Sequence, residues 1–170
     1  MKSFLQTIKE ESKESKLNKL GHNVKLSPDR LKQLKKDYSE FEHINLEDWQ
    51  GYPFPKNSSE QTKKEIHYLI SLGEFRTNWE NEMVEYDTRV VRPFKDYLDE
   101  YGIEVDFKRI KELRDQSNPI ILALKRHYNR PRPIALAKEL GLSLDTFPLK
   151  TAGTPSYPSG HATQGRLISL

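Results

Sequence analysis

Two short stretches hold residues whose types and spacing suit the capture of a tetrahedral oxyanion, most simply a phosphate. Lys125-Arg126-His127-Tyr128-Asn129-Arg130-Pro131-Arg132-Pro133 reads K-x6-R-P, with Lys125, Arg132 and Pro133 in register. Pro158-Ser159-Gly160-His161 then opens a stretch, Ala162 to Ile168, that reads as a helix. A phosphoryl group carries negative charge on several oxygens and needs fixed cations and N–H donors. Arg132 offers a planar fork, and Lys125 offers a compact point charge. Pro133 fixes its own φ and biases Arg132 toward extended backbone, which aims the guanidinium away from the preceding helix. Ser159 and Gly160 fall where a helix start leaves backbone N–H groups free for an anion. Gly160 lets a ligand approach the backbone closely. His161 then stands beside the anion, where an imidazole can give a proton to a departing oxygen.

These two pieces, in this order, resemble motifs one and two of the type 2 phosphatidic acid phosphatase superfamily. That superfamily includes soluble bacterial class A acid phosphatases, membrane lipid phosphatases and vanadium haloperoxidases. The doubled Arg-Pro of residues 130–133 and the run Ser156-Tyr157-Pro158-Ser159-Gly160-His161 look most like the soluble acid phosphatases. The resemblance implies that Lys125, Arg132, Ser159 and Gly160 bind phosphate oxygens and that His161 protonates the leaving group. It implies hydrolysis of phosphomonoesters through a phospho-histidine intermediate, with no metal ion and no cofactor. A vanadium-dependent haloperoxidase is the alternative, because vanadate has the shape of phosphate and fits the same cradle. The implied partner is a small phosphorylated substrate or inorganic phosphate.

In that superfamily the nucleophile is a second histidine, in a third motif of the form R-x5-H-x3-D. No arginine of this chain has a histidine six positions on. The expectation is a chain truncated before the third motif, which keeps the cradle and the acid but is inactive alone. A non-catalytic, anion-binding or structural remnant is the reading outside enzymology. An apolar seam where further helices pack implies self-association.

The elements that must position these residues read as helices throughout. Ile120, Ile121, Leu122 and Leu124 make an apolar run with Lys125 toward its end, and a Lys on a buried helix is costly unless it meets an anion. Asn118-Pro119 reads as the cap and first turn of that helix, with a separate short helix over 106–115. Residues 134–140 form a helical turn closed by Gly141. Thr146 to Pro158 reads as a long connection, with Thr151, Thr154 and Tyr157 on the rim of the site. His127, Arg126 and Arg130 are not assigned to the anion.

Upstream, Ser27-Pro28-Asp29 signals a helix over 28–42, and Leu17 and Leu20 belong to a weakly patterned helix within 3–20 that stops at Gly21. Gly51-Tyr52-Pro53-Phe54-Pro55 cannot continue a helix. Its Tyr52 and Phe54, with Trp49, pack a linker onto the body. From Ser58, Ile66, Leu69, Ile70 and Leu72 keep helical spacing, as do Phe75, Trp79, Met83, Tyr86 and Val90, and then Phe94, Tyr97, Leu98 and Tyr101. Glu80, Glu82, Glu85 and Asp87 read as a solvated acidic face. The fold expected is all-α: a helical bundle of the acid phosphatase/vanadium haloperoxidase type, incomplete at the C-terminus. Residues 1–56 form a basic extension and linker, and residues 57–170 form the helical core.

Composition sets limits. Of 170 residues, 35% are hydrophobic and 31% charged, which allows one modest core. No apolar run is long enough for a transmembrane helix, which argues against the membrane branch. With no cysteine there is neither a disulfide nor a Cys-based metal site. The first residues lack a signal-peptide core, and they resemble the opening of some tailed-phage virion proteins. The location is left open between the cytoplasm, a virion and a mature exported form, with a soluble, cytoplasmic or virion-associated chain the expectation. Residues 1–36 hold nine Lys and one Arg against three Glu and one Asp, a net +6, and the whole chain is +3. Such a basic arm is either solvated or in contact with nucleic acid or an assembly partner.

Overall fold

The computed structural model describes residues 4–23, 25–75 and 80–170. Regular structure there is all-helical, and no strand occurs among the described residues. The order is α1 (Phe4–Lys19), α2 (Pro28–Gln33), α3 (Leu46–Trp49), α4 (Glu60–Ser71), α5 (Glu80–Tyr86), α6 (Arg92–Glu100), α7 (Phe107–Tyr128), α8 (Pro133–Leu140) and α9 (Gly160–Ile168). No described helix is long and apolar enough to cross a membrane.

The main apolar core forms where α1, α4 and α8 meet. Leu17, Ile66, Leu136 and Ala137 are buried there, ringed by Leu20, Ile70, Leu140, Leu142 and Leu144. Leu17 comes from the basic segment, so the end of α1 is built into the body. Asn57 ties it further, donating its side-chain amide to Leu17 O at 2.9 Å and Leu20 O at 3.0 Å. Gly21 then passes against Asn129 so closely that an added Cβ would fall 2.4 Å from its Nδ2. Of the linker aromatics only Phe54 packs as expected, against Tyr128 and Tyr157. Tyr128 Oη donates to the Trp49 backbone O at 2.5 Å, while the Trp49 and Tyr52 side chains are exposed.

Three expectations need correction. The helix over 28–42 breaks into α2 and a 3-10 turn at Ser39–Phe41. The Asp37 carboxylate takes the Ser39 N–H at 3.1 Å and hydroxyl at 3.0 Å, a local turn that competes with the helix. Residues 107–128 form one helix, α7, capped by Asp106 and with Pro119 inside it. Asn118 does not cap; its amide donates to Arg114 O at 3.4 Å and its carbonyl accepts from Gln164 Nε2 at 3.1 Å. Those contacts, and burial of Pro119, Ile121 and Leu122, hold the helix through the proline. Phe75 and Met83, spaced as if facing a core, are exposed, and α5 buries none of its residues. Trp79 lies outside the described residues.

The site depends on α7 and α9. They pack along each other, with Ile121 and Lys125 against Gly160 at one level and Asn118 against Gln164 at the next. The two helices therefore run in opposite directions. The start of α9 lies beside the end of α7, which brings the two motifs together.

Candidate oxyanion site

α7 presents Asn118, Ile121, Leu122 and Lys125 on one face, at three-to-four spacing. The helix ends at Tyr128 because Asn129 adopts a left-handed conformation, φ 46°, and its N–H bonds Lys125 O at 2.9 Å. Asn is one of the few non-glycine residues that take this shape readily. The chain then runs without regular structure through Arg130-Pro131-Arg132, and Pro133 starts α8. Arg132 has φ −70° and ψ 149°, the extended geometry expected before proline.

The two cations are held by the loop ahead of α9. Lys125 is only 6% exposed, and its Nζ donates to Pro155 O at 2.6 Å. Arg132 donates through Nε to Thr154 O at 2.6 Å. Its Nη2 donates to Thr151 O at 3.1 Å and Thr154 Oγ1 at 3.2 Å. One edge of the guanidinium is thus anchored, and Nη1 has no bond among the described residues. Lys125 has two further N–H bonds to offer. Burial, with repulsion from Arg132 and Arg30, lowers the Lys125 pKa from 10.5 to about 8. Burial likewise lowers that of Arg132, opposed by Asp87.

On the other side, Ser159 caps α9. Its Oγ accepts from the Ala162 N–H at 3.2 Å, which leaves the hydroxyl proton to point elsewhere. Gly160 and His161 occupy the first turn, where backbone N–H groups have no intrahelical partner. A Cβ on Gly160 would stand 3.7 Å from Ile121 Cγ2 and 3.9 Å from Lys125 Cε, at ordinary contact distance. Packing therefore does not demand glycine; what glycine keeps open is the approach to Lys125. His161 is half exposed, and its Nε2 donates to Asp87 O at 2.9 Å. A carbonyl can only accept, so this contact places the proton on Nε2.

Lys125, Arg132, Ser159, Gly160 and His161 all line one cavity of about 290 Å³. Thr151 and Thr154 line it too, as expected of a rim. Tyr157 does not: its hydroxyl donates to Tyr52 O at 3.1 Å within the aromatic cluster. Arg130 pairs with Glu65 at 3.0 Å and lies over Phe54. Arg126 and His127 are exposed, so none of these three enters the cavity.

Compared with known protein families, curated proteins and solved structures, the chain matches none.

The cavity also holds residues that sequence reasoning missed. Asp87 was read with the solvated acids, yet its carboxylate is buried and accepts from the Thr151 N–H at 3.0 Å and from the Thr151 hydroxyl. It stands one residue past α5. Its partner is 64 residues away, and no local spacing signals that. Arg114 and Arg30 complete the cationic lining. Arg114 pairs with Asp115 at 2.9 Å, and its Nε is buried without a hydrogen-bond partner among the described residues. No group of three His, Asp or Glu among the described residues is placed to hold a metal ion. The chemistry on offer is anion binding by cations and N–H donors, with one accessible imidazole at the edge.

Proposed function

We propose that this chain binds the tetrahedral phosphate of a phosphomonoester, as the phosphate-holding part of a metal-independent phosphatase of the type 2 phosphatidic acid phosphatase kind. The observation that carries the reading is convergence. Residues from two motifs separated by 25 positions line one cavity, with the buried Lys125 and the half-buried Arg132 on one wall and a helix start on the other. Lys125 and Arg132 neutralise the phosphate dianion. The first-turn N–H groups of α9 and the Ser159 hydroxyl bind its remaining oxygens. His161 stands where it can protonate the ester oxygen as the P–O bond breaks.

In the complete reaction a histidine attacks phosphorus, the ester oxygen leaves with the proton from His161, and water then cleaves the phospho-histidine. This sequence holds no R-x5-H to supply that nucleophile. The 170 residues are therefore expected to bind phosphate or vanadate and to release no p-nitrophenol from p-nitrophenyl phosphate beyond a His161→Ala control. Turnover well above that control overturns the inactivity. Failure of both phosphate and vanadate to bind overturns the reading itself.

A further inference from the structure

Arg30 lies on α2, in the basic segment that sequence reasoning left to solvent or to a macromolecular partner. The structure places it on the wall of the same cavity as Lys125 and Arg132. Among the described residues it has no carboxylate partner. Its Nη1 donates to Gln33 Oε1 at 2.9 Å, and the nearby Asp29 stands 4.0 Å from Lys32 instead. Nor do the acids of the cavity neutralise it: Asp115 pairs with Arg114, and Asp87 is occupied by Thr151.

The segment that carries Arg30 is fastened at both ends. At one end, the His22 N–H donates to Asn129 O and Oδ1, both at 3.2 Å. At the other, the Glu40 N–H donates to Gln116 Oε1 at 2.9 Å and its carboxylate pairs with Arg109 at 2.7 Å. Between these anchors, the described hydrogen bonds of residues 25–36 are all local: Ser27 with Arg30 and Leu31, Arg30 with Gln33 and Leu34, Lys32 with Lys35, and Gln33 with Lys36. The result is a strap, tied down at its ends, with an arginine facing a cavity that already holds the buried Lys125 and the half-buried Arg132. Like charges gathered around a partly desolvated space repel until an anion enters. Lys125 registers that repulsion, since Arg30 is among the charges that lower its pKa.

We propose that Arg30 is a third anion-binding cation of this site, and that an oxyanion bound to Lys125 and Arg132 fastens the strap of residues 25–36 over the cavity. The inference rests on the phosphate reading above. It assigns part of the basic segment a role at the site itself. The strap is closed by the anion it covers, so compact phosphates are favoured over bulky ones.

The test uses the full chain, inorganic phosphate, and titrations at fixed ionic strength. Arg30→Ala is expected to weaken phosphate binding roughly tenfold or more, the scale of a lost hydrogen bond to a charged group. Arg30→Lys, which keeps the charge but loses the fork, is expected to fall between. Saturating phosphate is expected to slow tryptic cleavage at Lys25, Lys32 and Lys35 in the wild type and not in Arg30→Ala. Suppose instead that Lys125→Met and Arg132→Gln lose phosphate while Arg30→Ala binds within twofold of wild type without altered strap protection. The inference then falls and the phosphate reading stands. If wild type does not bind phosphate, or binds it unaffected by Lys125→Met, both fall. An unchanged urea midpoint for Arg30→Ala, whose side chain has only the Gln33 bond to lose, separates a binding effect from misfolding.

Discussion

The two walls of the cavity are built in opposite ways. Lys125 and Arg132 sit on the α7–α8 wall, where Lys125 is 6% exposed and both cations are tied to carbonyls of residues 151–155. Ser159, Gly160 and His161 form the α9 wall, where Ser159 is exposed and the His161 side chain is 48% exposed. The first wall is fixed before any ligand arrives and carries unneutralised charge out of water. The second presents free N–H groups and an imidazole that solvent can reach. On the proposed reading, affinity belongs to the Lys125–Arg132 wall and proton transfer to the exposed one.

The sharpest way to break this comparison is to remove charge from the buried wall. Lys125→Met keeps the apolar stem and is expected to weaken phosphate binding by about a hundredfold, judged from the value of a charge-assisted hydrogen bond together with the Coulomb term. Stability responds differently. At neutral pH the wild type bears the cost of a buried charge, about 3 kcal/mol for a pKa held near 8 rather than 10.5. The variant escapes that cost but orphans Pro155 O, a loss of about 1–3 kcal/mol. Urea unfolding is expected to show the two terms nearly offset. A variant that loses several kcal/mol and keeps its phosphate affinity contradicts the division.

pH provides a reversible version of the same change. Sulfate is the suitable probe because it does not titrate in this range. Its affinity is expected to hold below pH 8 and to fall by up to about tenfold per unit above it, as Lys125 loses its proton. Ligand-free stability has the opposite sign. The unfolded Lys binds a proton up to pH 10.5 while the folded one releases it near 8, so this residue's contribution rises with pH across that window. Arg132, Arg30, Asp87 and His161 share the cavity with Lys125. Burial is the largest cause of the Lys125 shift, and the charges of Arg132 and Arg30 act in the same direction.

Asp87 tests whether the walls are independent, because it touches both. Its carboxylate holds Thr151 on the side of Arg132, and its backbone carbonyl holds His161. Asp87→Ala removes the first contact and keeps the second. It is expected to cost about 1–3 kcal/mol in urea unfolding, the penalty for a buried N–H left unsatisfied at Thr151. The smallest effect is expected on the exposed wall. Ser159→Ala removes the α9 cap and costs about 1 kcal/mol, and it weakens phosphate binding by no more than a few-fold.

How much of this was legible in the sequence depends on the range of the interaction. The Ser27 cap, the helix start at Ser159 and Gly160, the extended Arg132-Pro133 step and the Gly141 stop are set by neighbours within a few residues, and the structure places each of them as read. Pro119 misled because its local signal is real but is overridden by burial and by Asn118 bonding to Arg114 and Gln164. Asp87 and Arg30 stayed hidden for the same reason. Their roles depend on Thr151 and on a strap crossing the cavity, and charge patterning alone shows only an acid beside acids and an arginine among lysines.

The most direct test of the central claim is a crystal structure of the chain with tungstate, a heavy mimic of phosphate. The account predicts tungstate inside the cavity, its oxygens about 2.7–3.2 Å from Lys125 Nζ and the Arg132 guanidinium on one side and from the Gly160 N–H on the other. Tungstate absent from that cavity at saturation, or bound only elsewhere on the basic segment, contradicts it.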